Sequence, residues 1–123
     1  MPQGHIEHVN LTVTDIDRSA ALFENLLGWR RRWRGEAANG GETIHVGEER
    51  TYLALYTDRQ GHAGQRKGRP LNHVGLEVDD LGAAERVVAE AGLEPFGHGD
   101  YQPGRRFYFF DWDGIEFEVV SYA

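Results

Sequence analysis

His8, His73 and Glu118 are the residues whose types and spacing best suit chemistry in this chain of 123 residues. Each sits in a run where apolar side chains alternate with polar ones, the pattern of a half-buried strand. In IEHVNLTV, Val9, Leu11 and Val13 share one face and His8, Asn10 and Thr12 the other. LNHVGLEV repeats this with Val74, Leu76 and Val78 opposite His73, Gly75 and Glu77. In GIEFEVV, Ile115, Phe117 and Val119 oppose Glu116 and Glu118. Two imidazoles and a carboxylate on polar strand faces can bind Fe(II), Mn(II), Zn(II), Ni(II) or Co(II). Three protein ligands leave coordination positions for substrate oxygens and water.

The two histidines mark an internal duplication. HVNLTVTD (8–15) and HVGLEVDD (73–80) agree at five of eight positions: His, Val, Leu, Val and Asp. A helical pattern follows each. Asp17 is expected to cap a run carrying Leu22, Phe23, Leu26 and Leu27 at helical spacing, with Gly28 as its stop. Asp80 precedes Ala84, Val87, Val88 and Ala91, with Gly92 and then Pro95 ending the second run. Strands are expected in RRRWRG, ETIHVG and TYLALYT, then in LEPFG, RFYFFD and GIEFEVVSY, with Trp112-Asp113-Gly114 as the last hairpin turn. The predicted order is strand, helix and three strands, twice over.

That order, a histidine opening each module, and a closing Asp-x-Asp-Gly turn followed by a strand glutamate resemble the vicinal oxygen chelate superfamily. This group includes glyoxalase I, extradiol dioxygenases, fosfomycin thiol transferases, methylmalonyl-CoA epimerase and metal-free bleomycin-binding proteins. The resemblance covers His5 to Tyr122. It implies an α+β fold in which two βαβββ modules form a curved mixed sheet around a metal-binding cup. It also implies a homodimeric enzyme acting on a small molecule through chelated adjacent oxygens, by lyase, isomerase or dioxygenase chemistry. The alternative it carries is a metal-free sequestering protein of the bleomycin-resistance type. Module one is expected at 4–56, a connector at 57–70 and module two at 71–123, all within one domain.

By the spacing from Asp-x-Asp-Gly, Glu118 matches the family's carboxylate ligand, and Glu116, two residues earlier on the same face, becomes a group at the cavity rim. In glyoxalase I a fourth ligand, a glutamate that also moves the proton, comes from the last strand of the first module. Ala54 occupies that place here, so a three-ligand site resembles the dioxygenases and thiol transferases more than glyoxalase I. Tyr52, Tyr56 and His45 share the polar side of their strands and could supply groups near the metal. In RFYFFD, Arg106, Tyr108 and Phe110 share the polar side if Phe107 and Phe109 face the core. A slip of one residue brings Arg105 there instead. Such an arginine would clamp an anionic substrate or pair with Asp100, Asp111 or Asp113. Tyr101, Tyr108 and Trp112 could line an apolar pocket. His5, His62 and His98, in a terminus or loops, are expected to be solvated.

Composition narrows the classes further. The net charge of −7, with twelve arginines and one lysine, argues against a nucleic-acid binder, which needs a basic footprint. Arg30, Arg31, Arg32 and Arg34 form the one basic cluster and read as a solvated edge strand. With no cysteine, thiolate ligands, disulfides and cysteine nucleophiles are excluded. No apolar run suits a signal peptide or membrane span, so no membrane partner and a cytoplasmic location are expected.

Overall fold

The alternating segments become two four-stranded sheets, each backed by one helix. The computed structural model describes residues 4–37, 40–58, 70–101 and 104–123. His62 and most of the expected connector lie outside them. The first half contains β1 (His8–Thr12), α1 (Ile16–Leu27), β2 (Arg30–Glu36), β3 (Glu42–Gly47) and β4 (Tyr52–Thr57). The second contains β5 (Val74–Glu77), α2 (Leu81–Glu90), β6 (Phe96–Tyr101), β7 (Gly104–Phe110) and β8 (Glu116–Ser121). They belong to two compact units, Met1–His62 and Ala63–Ala123. No helix among the described residues is long and apolar enough to cross a membrane.

In the first unit the strand order is β1-β4-β3-β2, with β1 parallel to β4 and the other pairs antiparallel. Parallel neighbours need a long crossover, which α1 and the two intervening strands provide. Leu11, Val13, Ile44, Val46, Leu53 and Leu55 are buried from the sheet, and Ile16, Ala20, Leu22, Phe23 and Leu26 from the helix. Their three- and four-residue spacing puts one apolar stripe of α1 onto β3 and β4.

The helix begins two residues earlier than Asp17 would set it. Asp15, in extended geometry, is the cap, and its carboxylate accepts the Arg18 N–H at 3.0 Å. Asp15 and Asp80 are the matched aspartates of the duplication, and Asp80 caps α2 in the same way through Ala83. Asp17 instead lies in the first turn, bonded to Arg31 at 2.8 Å and Arg34 at 2.6 Å. The Arg34 hydrogen bond chiefly holds the Asp17 carboxyl below its ordinary range, against the opposing effect of desolvation. The basic cluster is thus on an edge strand, as its composition suggests, but two of its arginines fasten that edge to α1. Gly28, left-handed at φ 67°, ends the helix.

The second unit repeats the plan with order β5-β8-β7-β6. Its core combines Leu76, Phe107, Phe109, Phe117 and Val119 with Leu81, Ala84 and Val88 of α2. Burial of Phe107 and Phe109 selects the register that puts Arg106 and Tyr108 on the polar face. The sixth strand runs from Phe96 to Tyr101 rather than over LEPFG, and its register with β7 shifts between Phe96 and Gly99. Between β7 and β8, the buried Asp111 carboxylate accepts the N–H groups of Asp113 and Ile115, both at 2.9 Å. Gly114 completes this turn at φ 80°, where a side chain would be strained. The turn sets the phase at which Glu116 and Glu118 leave the core side.

Phe109 and Phe117 stack at 5.3 Å and are fully buried. Phe117→Ala should therefore destabilise the protein by about 3–5 kcal/mol in denaturant unfolding. A loss below about 1 kcal/mol would contradict this packing.

Candidate metal centre

In the second unit, the face opposite the phenylalanine core gathers five polar or aromatic groups. His73 immediately precedes β5, and Glu116 and Glu118 come from β8. Arg106 and Tyr108 come from β7, with Tyr108 directly opposite Glu118. His73 Nε2 lies 3.2 Å from Glu118 Oε1, while Arg106 Nη1 donates to Glu118 Oε2 at 2.7 Å. Glu116, almost wholly buried, reaches within 4.0 Å of His73 Nδ1. The Tyr108 ring meets the imidazole edge-on at 6.1 Å. Opposite Glu118 on β5 stands Gly75, with open space where a side chain would begin.

The first unit places His8 on the corresponding face among aromatic rings. His8 stacks on Tyr52 at 5.0 Å, His45 stacks on Tyr52 at 4.5 Å, and Trp33 packs against His45 at 5.0 Å. The Arg32 guanidinium lies 4.4 Å from the Tyr52 ring centre. A register shift between Arg31 and Trp33 interrupts the pairing of β2 with β3 beside this stack. Burial pushes the His45 imidazole below its ordinary pKa, reinforced by His8 and Arg32, so it stays neutral at pH 7. The Tyr56 ring lies over Gly41.

Strand pairing extends the duplication beyond its sequence match. Asn10 is opposite Ala54, which in turn faces His45. The matched Gly75 is opposite Glu118, which in turn faces Tyr108. Ala54 is therefore the counterpart of Glu118, Tyr52 of Glu116, and His45 of Tyr108. The same framework carries rings in one unit and carboxylates in the other.

A divalent ion fits the donors of the second unit. Metal–ligand bonds of about 2.0–2.2 Å at tetrahedral or octahedral angles separate neighbouring ligand atoms by about 2.8–3.6 Å. The Nε2–carboxylate separation of 3.2 Å falls in that interval. His73 Nδ1 lies 2.8 Å from Asn72 Oδ1, and His8 Nδ1 lies 3.0 Å from Glu7 Oε1. An oxygen acceptor at Nδ1 favours the tautomer whose Nε2 can bind metal. Among the described residues, no three His, Asp or Glu side chains are gathered into a metal cluster. His73 and Glu118 are two donors of one unit, and His8 belongs to the other.

Several sequence expectations take a different form. Arg106 pairs with Glu118, because alternation puts it diagonally across from that residue. Arg105 is exposed. His5 and His98 are exposed as expected, with His98 bound to Glu85 at 2.8 Å and His5 Nδ1 3.4 Å from an Arg50 nitrogen. Asp111 serves the turn. The acceptors Glu7 and Asn72 were missed in sequence, although each immediately precedes a matched histidine. The Tyr101 side chain lies outside what the structure describes.

The profile of the Glyoxalase/Bleomycin resistance protein/Dioxygenase superfamily matches residues 5–119. A glyoxylase/bleomycin resistance protein/dioxygenase domain from Frankia sp. EAN1pec is 25% identical with TM-score 0.83, covering 98% of each chain. The fosfomycin resistance protein FosX from Mesorhizobium loti is 22% identical with TM-score 0.75, covering 98% of this chain and 92% of its own. A mutant FosX from Listeria monocytogenes, complexed with Mn(II) and 1S,2S-dihydroxypropylphosphonic acid, is 17% identical with TM-score 0.76, covering 98% and 93%. Comparison with curated protein sequences gave no match.

The Arg106–Glu118 ion pair is largely screened from solvent, so losing one partner leaves the other charge poorly solvated. Arg106→Leu should destabilise the metal-free protein by about 1.5–3 kcal/mol in urea unfolding. Stability equal to wild type would show that Glu118 does not depend on this arginine.

Proposed function

The chain belongs to the Glyoxalase/Bleomycin resistance protein/Dioxygenase superfamily, and on that premise we propose that it is a divalent-metal-dependent enzyme acting on a small molecule through two adjacent oxygens. The observation that carries this reading is the His73 Nε2–Glu118 separation, suited to two ligands of one ion. His8 is the third ligand, completing the set either within one chain or between two copies in a homodimer. The Mn(II) held by the Listeria monocytogenes relative supports a divalent ion in this role.

Such an ion, when bound, supplies Lewis acidity toward substrate oxygens. Arg106 holds one Glu118 oxygen and leaves the other turned toward His73. Gly75 leaves the space above Glu118 open for a ligand. Tyr108 walls the site beside His73. Glu116 and the neutral His45 are the candidate proton acceptors, one from each unit.

Ala54 bears on the reaction type. It is the counterpart of Glu118 in the repeated framework, but a methyl group neither binds metal nor carries a proton. The isomerisation catalysed by glyoxalase I would lack its carboxylate proton carrier at this position, which favours lyase or dioxygenase chemistry.

Calorimetric titration of the metal-free protein with Mn(II), Ni(II) and Zn(II) should give one ion per chain. His73→Ala and Glu118→Ala should each weaken binding by at least about 10-fold, with the fold retained. Binding should also weaken as pH falls toward the ordinary histidine range, since an imidazolium has no lone pair to donate. Absence of binding by wild-type protein at neutral pH would defeat the metalloenzyme reading.

A further inference from the structure

The two candidate histidine ligands share a feature that the repeated strands make comparable: the side chain just before each approaches its Nδ1. Asn72 Oδ1 is 2.8 Å from His73 Nδ1, and Glu7 Oε1 is 3.0 Å from His8 Nδ1. The pairs differ in chemistry. An amide can present either its oxygen or its nitrogen to a ring, whereas an ionised carboxylate can only accept. At His8 the proton therefore belongs on Nδ1, and Nε2 carries the lone pair.

We propose that Glu7 is a positioning residue that fixes His8 in its metal-binding tautomer and orientation. The assignment rests on the metalloenzyme reading above and extends it to a residue outside the ligand set. Three restraints converge on the ring. The Glu7 carboxylate holds Nδ1. Tyr52 covers one face, its ring inclined only 16° to the imidazole. The Glu7 carbonyl accepts the Tyr52 N–H at 2.9 Å, so the backbone bearing the carboxylate is tied to the strand bearing the stacking ring. Tyr52 is itself held by His45 and Arg32.

Glu7 also differs from Asn72 in what it does to its histidine. A carboxylate accepting from Nδ1 makes the imidazole a stronger donor through Nε2 than an amide does. Glu7 supplies this charge to His8 from an exposed position. His73 has the Asn72 amide nearest its Nδ1, with the Glu116 carboxylate farther away at 4.0 Å. The module with Ala54 where the other has Glu118 thus has an anionic group beside its histidine.

The test combines nitrogen-15 NMR of the imidazoles in the metal-free full-length protein with Mn(II) and Zn(II) titration. Spectra are taken at alkaline pH, where imidazole is neutral, and His8 is assigned by comparison with His8→Ala. Wild-type His8 should carry its proton on Nδ1. Glu7→Ala should move it toward the Nε2–H form and lower metal affinity by about 10–100-fold. Glu7→Gln, which keeps an acceptor oxygen but not the charge, should restore the Nδ1–H form in part and recover less than the full affinity. A wild-type His8 in the Nε2–H form overturns the assignment, and so does unchanged affinity in Glu7→Ala. If wild-type protein binds no metal, the functional reading fails separately, and the tautomer still decides whether Glu7 fixes the ring.

Discussion

The site depends on one constraint, the two-residue period of a strand whose opposite face is buried. Phe107, Phe109, Phe117 and Val119 are fully enclosed against α2, so β7 and β8 can pair in only one phase without exposing them. That phase sends Arg106, Tyr108, Glu116 and Glu118 to the other side together. A slip of one residue would exchange the two sets, burying charge and exposing four large apolar side chains. The apolar core therefore aims the carboxylates, and the Asp111–Gly114 turn sets where that phase begins.

The same constraint acts in both halves of the duplication, which is why they can be compared residue by residue. Each histidine sits at the start of a strand parallel to the last strand of its unit. The positions beside it have diverged. Glu116 and Glu118 stand where the first unit has Tyr52 and Ala54, and Tyr108 where it has His45. One unit thus carries two carboxylates beside its histidine and the other an imidazole within an aromatic stack. Neither unit holds the three proposed ligands alone: His8 belongs to the first, and His73 and Glu118 to the second.

Much of this was legible in the sequence because periodicity reports burial directly. The alternation around Val9, Val74 and Phe117 identified the strands and the side on which His8, His73 and Glu118 lie. The helix start was misread at Asp17 because a polar residue ahead of an apolar run suits either a cap or a first turn. The duplication distinguishes them, since Asp15 and Asp80 are its matched residues. The course of β6 was harder to read: Gly97 and Gly99 obscure the pattern where the pairing shifts. The partner of Arg106 was unreadable for a different reason. It depends on the diagonal offset between β7 and β8, and local sequence does not encode which carboxylate lies across a strand. The Nδ1 contacts of Glu7 and Asn72 depend on ring orientations, which strand periodicity leaves open.

The central claim is that His8, His73 and Glu118 bind the same ion. A crystal structure of the metal-loaded protein tests it most directly. The account predicts one divalent ion bonded to Nε2 of both histidines and to a Glu118 oxygen at about 2.0–2.2 Å, with the remaining positions open to water or substrate. An ion bound without His8, or seated among other side chains such as Glu85 and His98, would contradict it.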